Sequence, residues 1–155
     1  MKLTIKYKSD INNLENQSFG NWVDLVAAEE VVFDKAHVDK LISLGIVLQL
    51  PKGYEAHLLP RSSTPSKFGI TLAHSQGIID NEYCGPNDIW RFAARSTRKT
   101  SIEVGDRICQ FRIILSQDAT VWQKLKWLFT TKIVFKKVDT ITSKDRGGFG
   151  STGKK

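Results

Sequence analysis

The sequence predicts an all-β domain, an antiparallel sandwich, barrel or jelly roll. Three observations lead there. Residues Lys2 to Lys8 alternate strictly, six further runs are short and rich in β-branched or aromatic residues, and Gly, Pro, Asn or Asp clusters separate them. At 155 residues the chain is long enough to bury one real core and short for two domains. A hydrophobic fraction of 41% and a charged fraction of 25% exclude disordered, collagenous and coiled-coil classes.

Taken in order, the first strand presents Leu3, Ile5 and Tyr7 on one face and Lys2, Thr4, Lys6 and Lys8 on the other, as a half-exposed strand should. The later strands are expected at Val31–Phe33, Gly45–Leu50, Tyr54–Leu59, Ile89–Phe92, Arg107–Leu115 and Ile133–Val138. Asp34 to Leu44 reads as one helical turn or a loop. Thr120 to Thr130 reads as a helix, because Val121, Leu125 and Leu128 fall at i, i+4 and i+7 and Thr120 suits an N-cap. Lys124 and Lys126 beside that stripe are compatible with a membrane surface or a partner, but the expectation is packing on the parent domain. From Asp145 to Gly153 four glycines surround a lone Phe149, so no regular element is expected there. A flexible terminus explains that composition, and so does a segment that orders over a ligand.

The charge of +7 favours anionic partners but does not by itself localise a site. Cys84 and Cys109 are too few for a disulfide framework and lack metal-ligand spacing, so they read as reduced structural thiols. His37, His57 and His74 show no zinc spacing. No apolar run approaches the roughly 20 residues that span a bilayer, and a cytoplasmic location is expected.

Four segments carry candidate chemistry. Pro60-Arg61-Ser62-Ser63-Thr64 sets a bidentate guanidinium beside hydroxyls, which suits phosphate oxygens; a capped turn would use the same serines. Gly77 to Gly85 places Asp80 and Tyr83 between glycines, as in a hairpin that admits a flat ligand or as in a plain surface hairpin. Gly105 to Gln110 enters a strand with Cys109 inward, and Gln110 is either a donor to a ligand or ordinary strand surface. The fourth is the glycine-rich tail with Arg146, Phe149, Ser151 and Thr152.

Together with Asp24-Leu25-Val26-Ala27-Ala28, these four segments resemble the five ordered signatures of the homotrimeric dUTPase (dUTP pyrophosphatase) family. They are Asp24 to Ala28, Pro60 to Thr64 with Gly69, Gly77 to Gly85, Gly105 to Gln110, and Arg146 to Gly153. The resemblance covers Trp22 to Gly153 and looks closest to the Gram-positive bacterial and phage branch. It implies a jelly-roll-like dUTPase fold with a short helical insertion at 120–131, a β domain over residues 1–144 and a flexible active-site tail over 145–155. It also implies a homotrimer with active sites shared between subunits, Mg²⁺ as cofactor, and hydrolysis of dUTP to dUMP and pyrophosphate, which limits uracil incorporation into DNA and supplies dUMP.

On the same resemblance, Asp80 is the general base toward the water attacking the α-phosphorus, and Tyr83 packs beneath the deoxyribose. Backbone groups from Gly77, Ile79 and their neighbours bind the uracil edge. Arg61, Ser62, Ser63 and Gln110 hold the phosphate chain, and Asp24 meets Mg²⁺ through water. Arg146, Ser151 and Thr152 grip the terminal phosphate while Phe149 stacks over uracil. Three features depart from the family pattern, one being the stretch from Thr120 to Thr131, which looks like an insertion between the fourth and fifth signatures and whose role does not transfer. Arg146 and Phe149 are three residues apart where many relatives have five, and His74 stands where Asn is common.

A dCTP deaminase-related enzyme is the nearest alternative, although Tyr83 and the Phe149 tail favour dUTPase. A regulatory protein of the same fold, binding a repressor or another partner through Trp122–Phe129, is the alternative from a different class. No aromatic-basic repeat supports nucleic-acid binding.

Overall fold

The computed structural model describes residues 1–15, 21–130, 132–150 and 153. Among these, twelve strands and two short helices form an all-β fold, as expected. The strands are β1 (Lys2–Ser9), β2 (Val23–Val26), β3 (Val31–Phe33), β4 (Asp39–Ser43), β5 (Ile46–Gln49), β6 (Tyr54–Pro60), β7 (Ile70–Leu72), β8 (Gly77–Asp80), β9 (Arg91–Ser96), β10 (Thr100–Ile102), β11 (Arg107–Leu115) and β12 (Lys132–Lys137). The helices are α1 (Thr64–Phe68) and α2 (Val121–Leu128).

The alternation in β1 buries Leu3, Ile5 and Tyr7 and leaves the lysines in water. Around that edge the core is filled by Phe33, Ile42, Phe92, Trp90 and Phe111. Trp90, Phe111 and Phe135 form an edge-to-face series with centroids 5.1 and 5.8 Å apart. Cys109 is fully buried in this core, and burial pushes its thiol well above the usual range.

The four sheets run β12-β1-β5, β10-β3, β2-β11-β6-β8 and β4-β9-β7. All strand pairs are antiparallel except β1 with β12, which run parallel from Lys2↔Lys132 to Tyr7↔Lys137. That exception follows from where α2 delivers the chain: the Met1 ammonium donates to the Phe129 carbonyl at 3.0 Å, so β12 starts beside the start of β1.

Four expectations change. The segment from Asp34 to Leu44 contains strand β4 rather than only a turn or loop; it exists because β9 pairs with it, Asp39 opposite Arg95. The strand expected at Ile89–Phe92 is shifted to Arg91–Ser96. Gly77 to Gly85 is not a hairpin, since β8 pairs with β6 and the residues after Asp80 turn away as a loop.

The fourth correction concerns α2. Its start and cap are as expected, with a full capping box between Thr120 and Gln123, while it ends at Leu128 rather than at Thr130. Its apolar stripe, however, does not pack on the domain. Successive residues turn by about 100°, which sets Gln123 and Trp127 on the side opposite Val121, Leu125 and Leu128. Gln123 donates to the Lys52 carbonyl and Trp127 meets Tyr54 with ring centroids 5.7 Å apart, so the helix stands on those two residues. Trp122 is consequently 81% exposed and Leu128 76%. None of the described helices is long and apolar enough to cross a membrane.

Candidate functional site

A cleft of about 200 Å³ opens at the end of β8, lined by Gly77 to Asp80, Tyr83, His74, Trp90, Arg91 and Arg146 to Phe149. Pockets that enclose a drug-sized ligand measure roughly 300–1,000 Å³, so this one fits a flat ring and an attached sugar, with anything longer leaving through the mouth.

Each wall has a local cause. Gly77 opens β8 where it crosses β6 closely, because a Cβ there would stand 3.1 Å from the Leu58 Cβ. Asp80 ends β8 and accepts from the Glu82 backbone N–H at 2.8 Å, which starts the turn that brings Tyr83 under the cleft. The Tyr83 hydroxyl donates to the Ile89 carbonyl at 2.9 Å, leaving the ring edge for a ligand. Burial, and then the Asp88 charge, raise its phenol above the usual range. His74 donates through Nδ1 to the Gln76 carbonyl at 3.0 Å.

The tail closes the other side. Arg146 pairs with the Asp80 carboxylate and lies 3.8 Å from Glu82, and Phe149 reaches the cleft with φ at 53°, in the left-handed region that non-glycine residues seldom adopt. Asp80, Tyr83, Gly77, Ile79, Arg146 and Phe149 are therefore brought together within one chain. Ser151 and Thr152 lie outside the described residues.

The remaining predicted residues gather elsewhere. Asp24 sits on β2 with Arg61 Nε at 3.1 Å and Arg107 at 3.8 Å. Gln110, opposite Asp24 in register, donates to the Pro60 carbonyl at 3.3 Å. Thr64 shapes the turn between them: its hydroxyl accepts from the Arg61 N–H at 2.9 Å and donates to the Ile108 carbonyl at 2.7 Å. Ser63 precedes α1 but makes no side-chain cap bond, so capping does not account for that serine. The register separates the two groups. Gln110 lies opposite Leu59 and Asp80 opposite Glu55; four residues of strand span about 13 Å.

For a divalent cation the donor set is sparse: among the described residues no group of three His, Cys, Asp or Glu could hold one. A single carboxylate, Asp24, set among arginines suits a metal carried in on phosphate oxygens and keeping its waters, as Mg²⁺ prefers, and not an all-protein cage.

Sequence reasoning missed Asp88, Asn87 and Trp90. Asp88 is 2% exposed although its residue type is seldom buried. The one available signal was that an aspartate two residues before a core tryptophan, in a glycine-flanked loop, must find backbone donors. Burial works to raise its pKa, but N–H groups of Arg146, Gly147, Gly85 and Cys84 prevail and hold its carboxyl below the usual range.

The chain matches the dUTPase family model over residues 10–153. It is 43% identical over 159 residues, covering 100% of both chains, to the SPbeta prophage-derived deoxyuridine 5'-triphosphate nucleotidohydrolase YosS of Bacillus subtilis. It is 34% identical to the deoxyuridine 5'-triphosphate nucleotidohydrolase of Hydrogenobaculum sp., over 86% of this chain and 83% of that one. The crystal structure of dUTPase from Streptococcus mutans shares the fold with a TM-score of 0.61 at 23% identity, covering 72% of this chain and 94% of that chain. A dUTPase from phage phi11 of S. aureus, described as coordinating a structural Mg(II) ion, also superposes with a TM-score of 0.61, at 18% identity over 76% of this chain and 94% of its own.

Proposed function

The chain belongs to the dUTPase family and hydrolyses dUTP to dUMP and pyrophosphate; we propose that it does so in the cleft where Asp80, Tyr83 and Phe149 meet. The observation that carries this reading is their convergence on one cleft sized for a base and its sugar.

Asp80 takes a proton from water as the water oxygen bonds to the α-phosphorus. The bond from that phosphorus to the bridging oxygen breaks, and pyrophosphate leaves. Tyr83 supports the deoxyribose with its ring edge, because its hydroxyl is already held by Ile89. A 2′-hydroxyl would meet that apolar surface without a partner, which disfavours ribonucleotides. Backbone groups of Gly77 and Ile79 read the uracil edge, and Phe149 covers the base and excludes water.

Arg146, with Ser151 and Thr152, serves the terminal phosphate. Arg61, Ser62, Ser63 and Gln110 form the remaining phosphate clamp. Their separation from Asp80 along the sheet supports a homotrimer in which one subunit's clamp serves its neighbour's cleft, a closed assembly of ordinary symmetry. Mg²⁺, when bound, supplies neutralisation of the phosphate charge. Asp24 would hold it through water. Residues 1–144 make the catalytic β domain and 145–155 its active-site tail.

A second reading, which coexists with catalysis, rests on α2: its outward apolar face, Val121 to Phe129, suits a protein partner with a regulatory role. Incubation with dUTP or dCTP, with and without EDTA, tests the main reading. Pyrophosphate from dUTP, suppressed by EDTA, is expected. Ammonia from dCTP without pyrophosphate from dUTP would overturn it, and light scattering checks the trimer.

A further inference from the structure

Strand β8 lies at the edge of its sheet and pairs with β6 alone, from Gly77 to Asp80. On one face of that pair a chain of side chains runs the length of the strand. Gln76, just before β8, donates its amide to His57 Nδ1 at 2.7 Å. An imidazole that accepts there carries its proton on Nε2, and Nε2 donates to the Glu55 carboxylate at 2.7 Å. His57 and Glu55 are two apart on β6 and so share a face.

The register gives this chain a consequence for the chemistry. Glu55 is the residue directly opposite Asp80, and side chains so paired stand on one face with Cβ atoms about 5 Å apart. Two carboxylates at that range come to share and retain a proton, whereas a general base must be free of its own. Glu55 can turn across the ladder toward Asp80 or along its own strand to His57, and it is held at His57. On its other side Glu55 faces the apolar Ile114 of β11. Arg112, the cation opposite His57, lies over the Trp22 ring at 4.9 Å. Around Asp80 stand Glu82 and Arg146, with His74 and Arg91 on the cleft wall.

We propose that His57 is a positioning residue for the reaction: oriented by Gln76, it keeps Glu55 turned along β6 and so prevents that carboxylate from coupling to Asp80. The same bonds tie the entry of β8 to β6, which steadies an edge strand that carries both the base and the backbone facing the cleft. The kinetic part of this inference rests on the reading of Asp80 as base; the geometry of the chain does not.

The test compares the full-length protein with His57→Ala, with His57→Gln, whose amide reaches where Nε2 stood, and with the double variant His57→Ala, Glu55→Gln. Carboxyl ¹³C NMR is followed against pH without nucleotide, and kcat/KM for dUTP over the same range. Glu55 and Asp80 should titrate separately in the wild type and as a coupled pair in His57→Ala. In that variant the acid limb of kcat/KM should move up by about one pH unit, a tenfold loss on the limb, while the plateau stays within about threefold. His57→Gln should keep the wild-type limb, and adding Glu55→Gln to His57→Ala should return it, which a merely structural role of His57 would not allow. Coupling already present in the wild type, or absent from His57→Ala, overturns the proposal, and so does a displaced limb that Glu55→Gln fails to return. Should His57→Ala not fold, His57→Asn, which still reaches Gln76 but stops short of Glu55, must couple the two carboxyls in the same way, and separate titration refutes the proposal. Coupled carboxyls with an unmoved limb keep the role of His57 and reject Asp80 as the base instead.

Discussion

Replacing Asp80 with Asn separates the chemistry of the cleft from its architecture. The carboxylate's structural roles are two. It accepts from the Glu82 N–H, which the Asn carbonyl oxygen still does, and it pairs with Arg146. The side chains of that pair are 41% and 42% exposed, so screening limits its contribution to about 0–1 kcal/mol. Loss of a positioned general base costs about 10²–10⁴ in rate, or about 2.7–5.4 kcal/mol of barrier. The barrier effect therefore outweighs the stability effect several-fold. Pyrophosphate release from dUTP should fall by at least about a hundredfold, while thermal unfolding shifts little and a non-hydrolysable analogue still binds. Turnover within a few-fold of wild type would refute the assignment of Asp80 as base. A large drop in melting temperature would show that its role is structural.

Tyr83→Ala removes the ring that underlies the sugar, so the preference for dUTP over UTP should shrink by about tenfold or more, read as a ratio of kcat/KM values; an unchanged ratio rejects the steric account. Substituting Trp122, Leu125 and Leu128 together with Ser should leave the melting temperature within a few degrees, because those side chains face solvent, whereas Trp127→Ala should destabilise by about 1–3 kcal/mol through its contact with Tyr54; equal effects in thermal unfolding would contradict the orientation of α2. Since the folded protein holds the Asp88 carboxyl below its ordinary value near 3.9, its contribution is fully present above that pH and is lost as pH falls through the lower folded value; the protection of the Arg146 and Gly147 amides relative to their intrinsic exchange should thus be flat from about pH 5 to 8 and fall only in strong acid.

What the sequence alone determined is whatever repeats locally. The period of two in Lys2–Ser9 dictated which side chains of β1 enter the core, since alternate residues of a strand must face opposite ways. Thr120 marked the start of α2 because an N-cap acts within one turn; the structure adds Gln123, which completes a capping box. The order of the five motifs, with Asp80 and Tyr83 three apart, identified the family before any coordinates. Tertiary structure decided the rest, because it depends on partners distant along the chain. Strand β4 forms only against β9, some fifty residues away in register, and its exposed Leu41 hides the alternation. The parallel pairing of β12 follows from where α2 releases the chain, and the outward apolar face of that helix from Gln123 and Trp127 finding Lys52 and Tyr54. Asp88 looked like one more polar loop residue; only folding brings the Arg146 and Gly147 amides to it across nearly sixty residues, and an aspartate can be buried only where such donors replace the water it has lost.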